Sequence, residues 1–254
     1  MLERKDSKNK SNFIFASLLT GVYDVNRNEL LKKNDFGIVK KWYNSIVNLQ
    51  LNGIIFHNTF SKEIVEKYTN KYIKFIKVEY DESLNPNVFR YFIYQDYLRK
   101  NETKISNLFV TDISDVEVIS DPFQSHVFLE KPDFLFCGDE TEILDNEWMR
   151  NHCSHLRNSM PEFGVYEAQQ KNETLINCGV IGGKLSVMKS LLDKMVDMHK
   201  VLSYSNTTAY TLDMGVFNFI ARTGFAHKII HGEPVNTVFK KYESQRTDCW
   251  FRHK

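Results

Sequence analysis

Apolar residues fall in short runs broken by polar stretches, and the runs alternate between strand-like and helix-like spacing. Asn12 to Leu19 (NFIFASLL) is apolar and stops at Thr20-Gly21, which predicts a buried strand followed by a loop. Phe36 to Leu49 carries apolar residues at helical spacing. Gly53 to Phe56 is a second short strand, and Ser61 to Tyr68 reads as a helix capped by Ser61, with Glu63 and Glu66 in its early turns. Tyr72 to Val78 alternates as a third strand, and Asn87 to Leu98 is an aromatic helix. Asn107 to Thr111 (NLFVT) is a strand that runs directly into acidic residues. Further on, Asp133 to Cys137 predicts a strand ending at Gly138-Asp139-Glu140. Leu175 to Ile181 predicts another, closed by Gly182-Gly183. Helices are expected over Ser186 to Val201, with Ser186 as cap, and over Leu212 to Ala221, with an irregular tail from Lys228 onward.

Strand and helix alternate over the first 110 or so positions, which implies βαβ units and a mostly parallel sheet flanked by helices. The expected fold class is therefore α/β. At 254 residues with no sharp internal boundary, the chain reads as one domain over residues 12–254 behind a flexible polar arm, residues 1–11. Nineteen Phe and twelve Tyr supply a sizeable core. A net charge of +1 argues against a partner held by bulk charge, so no nucleic-acid partner is expected. The four cysteines are dispersed, as in a protein of reducing surroundings, and MLERKDSKNK has no apolar core of a secretory leader. No run approaches the length of a membrane span. The expected location is the cytoplasm, in solution or peripheral at a membrane surface.

Candidate chemistry concentrates in residues 107–123, NLFVTDISDVEVISDPF. An apolar strand delivers Asp112 and Asp115 at its exit, and Asp121 lies further along. Carboxylates this close repel one another unless a cation or solvent relieves them. In open α/β sheets ligands bind beyond the carboxyl ends of strands. A divalent cation shared with substrate phosphates fits both facts, with Mn²⁺ or Mg²⁺ as the expected ion; the other reading is a polar loop in which each Asp caps a turn. The chain contains no GxxxxGK[ST] loop, no GxGxxG after the first strand and no GxSxG elbow. His152, Cys153 and His155 do not make a four-ligand zinc pattern.

The acidic segment resembles the motif of GT-A glycosyltransferases, nucleotide-sugar-dependent enzymes with a Rossmann-like fold. Their usual form is a strand, Asp-x-Asp, a few apolar residues and a downstream Asp with an aromatic. Here the pair is Asp112-Ile-Ser-Asp115, one residue wider, with Asp121-Pro122-Phe123 downstream. The form Thr-Asp-x-x-Asp-Val…Asp-Pro-Phe is similar to a branch found in bacterial and large-virus enzymes. The resemblance implies a GT-A sheet and a metal held by Asp112, Asp115 and a late histidine, His253, with His231 as its rival. It implies donor contacts from Thr20, Gly21, Arg90, Thr111, Asp112, Asn177 and Gly179, the last two within LINCGVIGG. Arg90, alternatively, is a surface ion pair with Asp96. Asp213, in LDMGVFN, would face the acceptor, serving as a general base if the enzyme inverts configuration; whether it retains or inverts stays open.

The activity that the resemblance implies is sugar transfer from a nucleotide-diphosphate sugar to a hydroxyl of a glycan, glycolipid or glycoprotein. Two rivals remain. A nucleotidyltransferase would carry a Gly-rich basic loop, which ASLLTGVYDVNR lacks. A catalytically silent binding protein would have no need of both aspartates.

Overall fold

The apolar runs assemble into a seven-stranded sheet in the computed structural model, which describes residues 10–24, 29–203 and 212–254. In the first half, the elements are β1 (Ser11–Leu18), β2 (Tyr23–Asp24), β3 (Glu29–Leu30), α1 (Lys40–Asn48), β4 (Gly53–His57), α2 (Lys62–Tyr68), β5 (Ile73–Lys77), α3 (Pro86–Asn101), β6 (Ile105–Thr111) and β7 (Val116–Val118). The second half adds α4 (His126–Glu130), β8 (Leu135–Ile143), α5 (Glu147–His152), α6 (Ser154–Ser159), α7 (Pro161–Gln170), β9 (Thr174–Lys184), α8 (Leu185–Ser203), α9 (Asp213–Gly224), β10 (Ile229–His231) and β11 (Phe251–His253).

The sheet order is β10-β8-β9-β6-β1-β4-β5. All neighbours are parallel except at β9, which runs against both β6 and β8. From β1 the chain steps outward to β4 and β5, then returns through α3 to place β6 on the other side of β1. The sheet thus reverses direction between β1 and β6, the place where open α/β sheets bind ligands. Register pairs Ala16 with Thr111, so Ser17 and Asp112 leave the sheet side by side.

Strand alternation explains the two cores. On one face Phe15, Leu108 and Val110 pack under α3, α8 and α9. On the other, Ile14, Ala16 and Phe109 meet Trp42 and Ile46 of α1, together with Trp250 and Phe251. Local signals place the helix starts. Ser61 accepts from Ile64 N at 3.4 Å as the N-cap of α2. Asn85 caps α3 ahead of Pro86, whose fixed φ and missing N–H suit a first helical position.

Several expected boundaries move. Gly182-Gly183 does not close β9, which continues to Lys184. Gly182 faces Phe109 across the ladder, and a Cβ there would lie 2.1 Å from the Phe109 ring, so the glycine makes room for an aromatic rather than a turn. β8 runs on through Gly138-Asp139-Glu140 to Ile143. Ser186 lies inside α8, not at its cap. The tail is not wholly irregular, since β10 extends the sheet and β11 pairs antiparallel with β7. The short helices α5, α6 and α7 fill a stretch where no element was expected. Of the expected N-terminal arm, residues 1–9 lie outside the described residues, and Ser11 already belongs to β1. All four cysteines are buried free thiols. Among the described residues no helix is long and apolar enough to cross a membrane.

Candidate functional site

A cavity of about 460 Å³ opens where β1 and β6 leave the sheet. Ser17 to Leu19 and Asp112 to Asp115 line it from those strand ends, Arg90 from α3, Glu140 from β8, Asn177 to Gly179 from β9 and Asp213 from α9. Its size and mixed lining suit a small organic ligand rather than a lone ion.

Asp112, Asp115 and His253 converge at one end. Each offers a ligand atom, and these atoms all lie within 4.8 Å of one another. The ladder between β11 and β7 sets His253 opposite Val116, directly after Asp115. The His253 backbone N–H donates to Thr237 Oγ1 at 2.9 Å, and its ring packs on Phe239 with centroids 4.3 Å apart. The residue is 1% exposed, and neither ring nitrogen has a hydrogen-bond partner. Its Nε2 stands 3.9 Å from Asp112 Oδ2, too far for a hydrogen bond. Burial pushes the imidazole pKa down to about 4, so the ring is neutral at pH 7.

Gly179 forms the floor of this corner, its carbonyl accepting from Asp112 N at 2.8 Å. A Cβ there would sit 2.4 Å from His253 Cε1 and 2.7 Å from Asp112 Oδ2. Two carboxylates, a neutral imidazole with no hydrogen-bond partner and a glycine beside them where any side chain would collide together fit a divalent cation.

Arg90 ties this corner to α9. Its Nη1 donates to Asp112 Oδ1, and its Nη2 donates to Asp213 Oδ2 at 3.2 Å. Nη2 also donates to Tyr91 Oη at 3.0 Å, and Nε to the Asn87 carbonyl at 3.0 Å. Burial works against the guanidinium charge, but Tyr91, Asp112, Cys178 and Asp213 outweigh it and hold Arg90 protonated. Burial raises the Asp213 pKa, and Arg90 opposes the shift. Glu140 is raised as well, by burial first; its hydrogen bond from Asn177 Nδ2 works the other way.

Of the residues proposed from sequence, Arg90, Asp112, Asp115, Asn177, Gly179 and Asp213 line the cavity, and His253 adjoins it through the carboxylates. Thr20, Gly21 and Thr111 do not line it. The Thr20 backbone N–H donates to Asn58 Oδ1 at 2.9 Å and its hydroxyl meets that of Thr59, so Ser17 to Leu19 take the place expected of it. Gly21 turns away with φ +85 and bonds Leu31 O. Thr111 shares the face of Phe109, opposite to Asp112, and its Oγ1 accepts from Trp42 Nε1 at 2.7 Å.

His231 lies apart from the cluster, with Nδ1 2.7 Å from Asp139 Oδ1. Asp96 pairs with Lys100, not with Arg90. Asp121 caps the short turn of 3-10 helix at Pro122–Gln124, accepting from Phe123 N at 2.9 Å. The acidic segment therefore divides between a ligand-type pair and a capping residue.

Sequence reasoning missed Glu140, Glu142, Trp148 and Lys240 of the lining. The signal for Glu140 was present, as an acidic pair directly after an apolar run, the same pattern that marks Asp112. No protein-family model matches the chain, and a search of curated proteins finds no match.

Proposed function

We propose that this chain is a divalent-metal-dependent glycosyltransferase, moving a sugar from a nucleotide-diphosphate sugar to a hydroxyl of a glycan, glycolipid or glycoprotein in the cytoplasm. The observation that carries the reading is the meeting of Asp112, Asp115 and the unpartnered His253 at the corner of a cavity at the sheet's reversal point. The resemblance of the acidic segment to GT-A enzymes points the same way.

Asp112, Asp115 and His253 would hold Mn²⁺ or Mg²⁺, which when bound offsets the charge of a leaving diphosphate. Leu18, Leu19, Leu31 and Ile38 supply an apolar end for a nucleotide base. Gly179 and Asn177 shape the floor beside the cation corner, where the absent side chain of Gly179 lets a ligand approach the backbone. Arg90 holds Asp112 through Oδ1, leaving Oδ2 on the His253 side.

Two carboxylates face the sugar end. Asp213, the expected base, is committed to Arg90. Glu140 has a raised proton affinity and no arginine partner among the described residues, and is the stronger candidate to receive the acceptor proton.

The test is thermal stability against a panel of nucleotide-diphosphate sugars, with and without Mn²⁺, and then release of free nucleotide diphosphate. A rise that needs both the metal and one nucleotide, and disappears in Asp112→Ala, supports the reading. Folded protein that responds to no donor refutes it, and a response confined to a nucleoside triphosphate with a sugar phosphate would make it a nucleotidyltransferase.

A further inference from the structure

The cavity extends beyond the cation corner along β9. Gly179 lies under the corner and Leu175 lines the far end. Asn177 and Cys178 line the cavity between them, so the lining follows β9 from one end to the other. At the far end β8 continues past its pairing with β10 to Ile143, which pairs with Thr174. Glu142 and, on the next helix α5, Trp148 thereby wall the cavity beside Leu175.

The side chains here have distinct chemistry. Trp148 is half-buried, and its ring stacks on His152 with centroids 4.0 Å apart, which fixes its plane. The other two tryptophans, Trp42 and Trp250, belong to the core. Asn146 is spent on capping α5, accepting from Met149 N at 2.9 Å. Glu142 is exposed, and Glu140 accepts from Asn177. Of the cationic lining residues, Arg90 is bound to Asp112 and Asp213 at the other end. Lys240 faces Glu140 and lies 5.1 Å from the Phe239 ring centroid.

We propose that this far end is the acceptor subsite, with Trp148 as its aromatic wall, and that Glu142 and Glu140 select an uncharged or amino-bearing sugar and reject an anionic one. The inference rests on the transferase reading above. A tryptophan wall gives apolar contact to a sugar ring and attracts a cation through its π face. Carboxylates accept from hydroxyl or ammonium groups. An anionic sugar would set its carboxylate against Glu142 and Glu140, and such like-charge placement is a means of rejecting a partner. Bulk charge is not the cause, since the chain as a whole is near neutral.

Three probes of one shape and different charge test this: methyl glucoside, methyl glucosaminide and methyl glucuronide, observed by saturation-transfer NMR on the full chain. The uncharged and amino probes should bind, and the glucuronide should bind at least about tenfold more weakly. Trp148→Ala should remove binding of all three while stabilisation by nucleotide diphosphate with Mn²⁺ persists. Glu142→Gln changes an exposed residue and should narrow the gap between the glucosaminide and the glucuronide.

Glucuronide binding equal to that of the glucoside, or a charge preference unchanged in Glu142→Gln, overturns the proposal. So does the absence of any sugar signal from protein that does respond to nucleotide and Mn²⁺, an outcome that leaves the transferase reading standing. Sugar binding without any nucleotide response overturns the transferase reading instead, and with it the acceptor role of the subsite.

Discussion

Asp213 accepts from Arg90 Nη2 at 3.2 Å, and the same guanidinium holds Asp112 through Nη1. One buried cation thus joins the start of α9 to the exit of β6. Removing one member of a buried pair leaves the other charge uncompensated, at a typical cost of about 3–5 kcal/mol. Arg90→Gln should therefore destabilise the protein by about 3 kcal/mol in urea unfolding. Adding Asp213→Asn should recover part of that loss, because the stranded carboxylate is gone. Strictly additive effects in the double-mutant cycle would show that the two residues are not coupled.

The corner formed by Asp112, Asp115 and His253 predicts a metal requirement with a particular mutational pattern. Asp115→Asn and His253→Gln should each abolish Mn²⁺-dependent stabilisation by nucleotide diphosphate, with the apoprotein still folded. The His253 ring has no hydrogen bond to lose, so its replacement removes the metal ligand and the packing on Phe239 but breaks no polar pair. Chelation should bring wild type down to the same thermal midpoint. If His253→Gln kept full Mn²⁺ dependence, the histidine would be excluded as a ligand.

Gly179 offers a complementary test that leaves every ligand in place. Its added Cβ in Gly179→Ala would collide with His253 Cε1 and Asp112 Oδ2. Overpacking of this kind costs about 1–3 kcal/mol, and here it also closes the space for a cation. Calorimetric titration with Mn²⁺ should show binding lost or weakened by well over tenfold, about 1.4 kcal/mol. Unchanged Mn²⁺ affinity would place the ion elsewhere.

The strands of the first half were legible because a buried parallel strand is a bounded apolar run, and the cavity-lining position of Asp112 and Asp115 follows from their place just past the end of one. Thr111 was misread for a reason that one sequence cannot resolve. It belongs to the same strand end as Asp112, but alternation sends neighbours to opposite faces, and only the fold says which face holds the cavity. Glu140 was hidden because Gly138 reads as the end of an apolar run, whereas β8 continues through it to Ile143. Gly182-Gly183 looked like a stop because two glycines make a turn as readily as they make room for Phe109. The helices α5 and α6, at six residues each, are too short to show a period.

Glu140 and Asp213 compete for the role of base, and their surroundings decide the expectation. Burial raises both carboxyls, but Arg90 opposes the shift at Asp213, and Glu140 has no arginine partner among the described residues. Glu140→Gln should lower turnover by about 100-fold or more with little change in nucleotide affinity. It should also remove an acid limb of the pH–rate profile lying above the ordinary carboxylate range. Asp213→Asn should lower turnover together with stability, leaving that limb in place. A loss below about tenfold in Glu140→Gln would rule out general-base catalysis by this residue.

Stability should fall with acid through buried neutral histidines, and His199 isolates the effect. Its ring lies parallel to Tyr91 with centroids 6.1 Å apart, its Nε2 has no hydrogen-bond partner, and it is 3% exposed. Burial, with the Arg90 charge adding to it, pushes its pKa from 6.5 down to about 3. The unfolded chain therefore binds more protons than the folded chain between those two values. Stability rises with pH across that window, is fully present above 6.5 and is lost as pH falls toward 3. The slope from one such group is at most about 1.4 kcal/mol per pH unit. His199→Phe keeps an aromatic ring and removes the titration, so urea unfolding from neutral to mildly acidic pH should show a slope shallower by about that amount. An unchanged slope would mean that His199 is protonated in the folded chain, with a partner that its buried position beside Tyr91 does not supply.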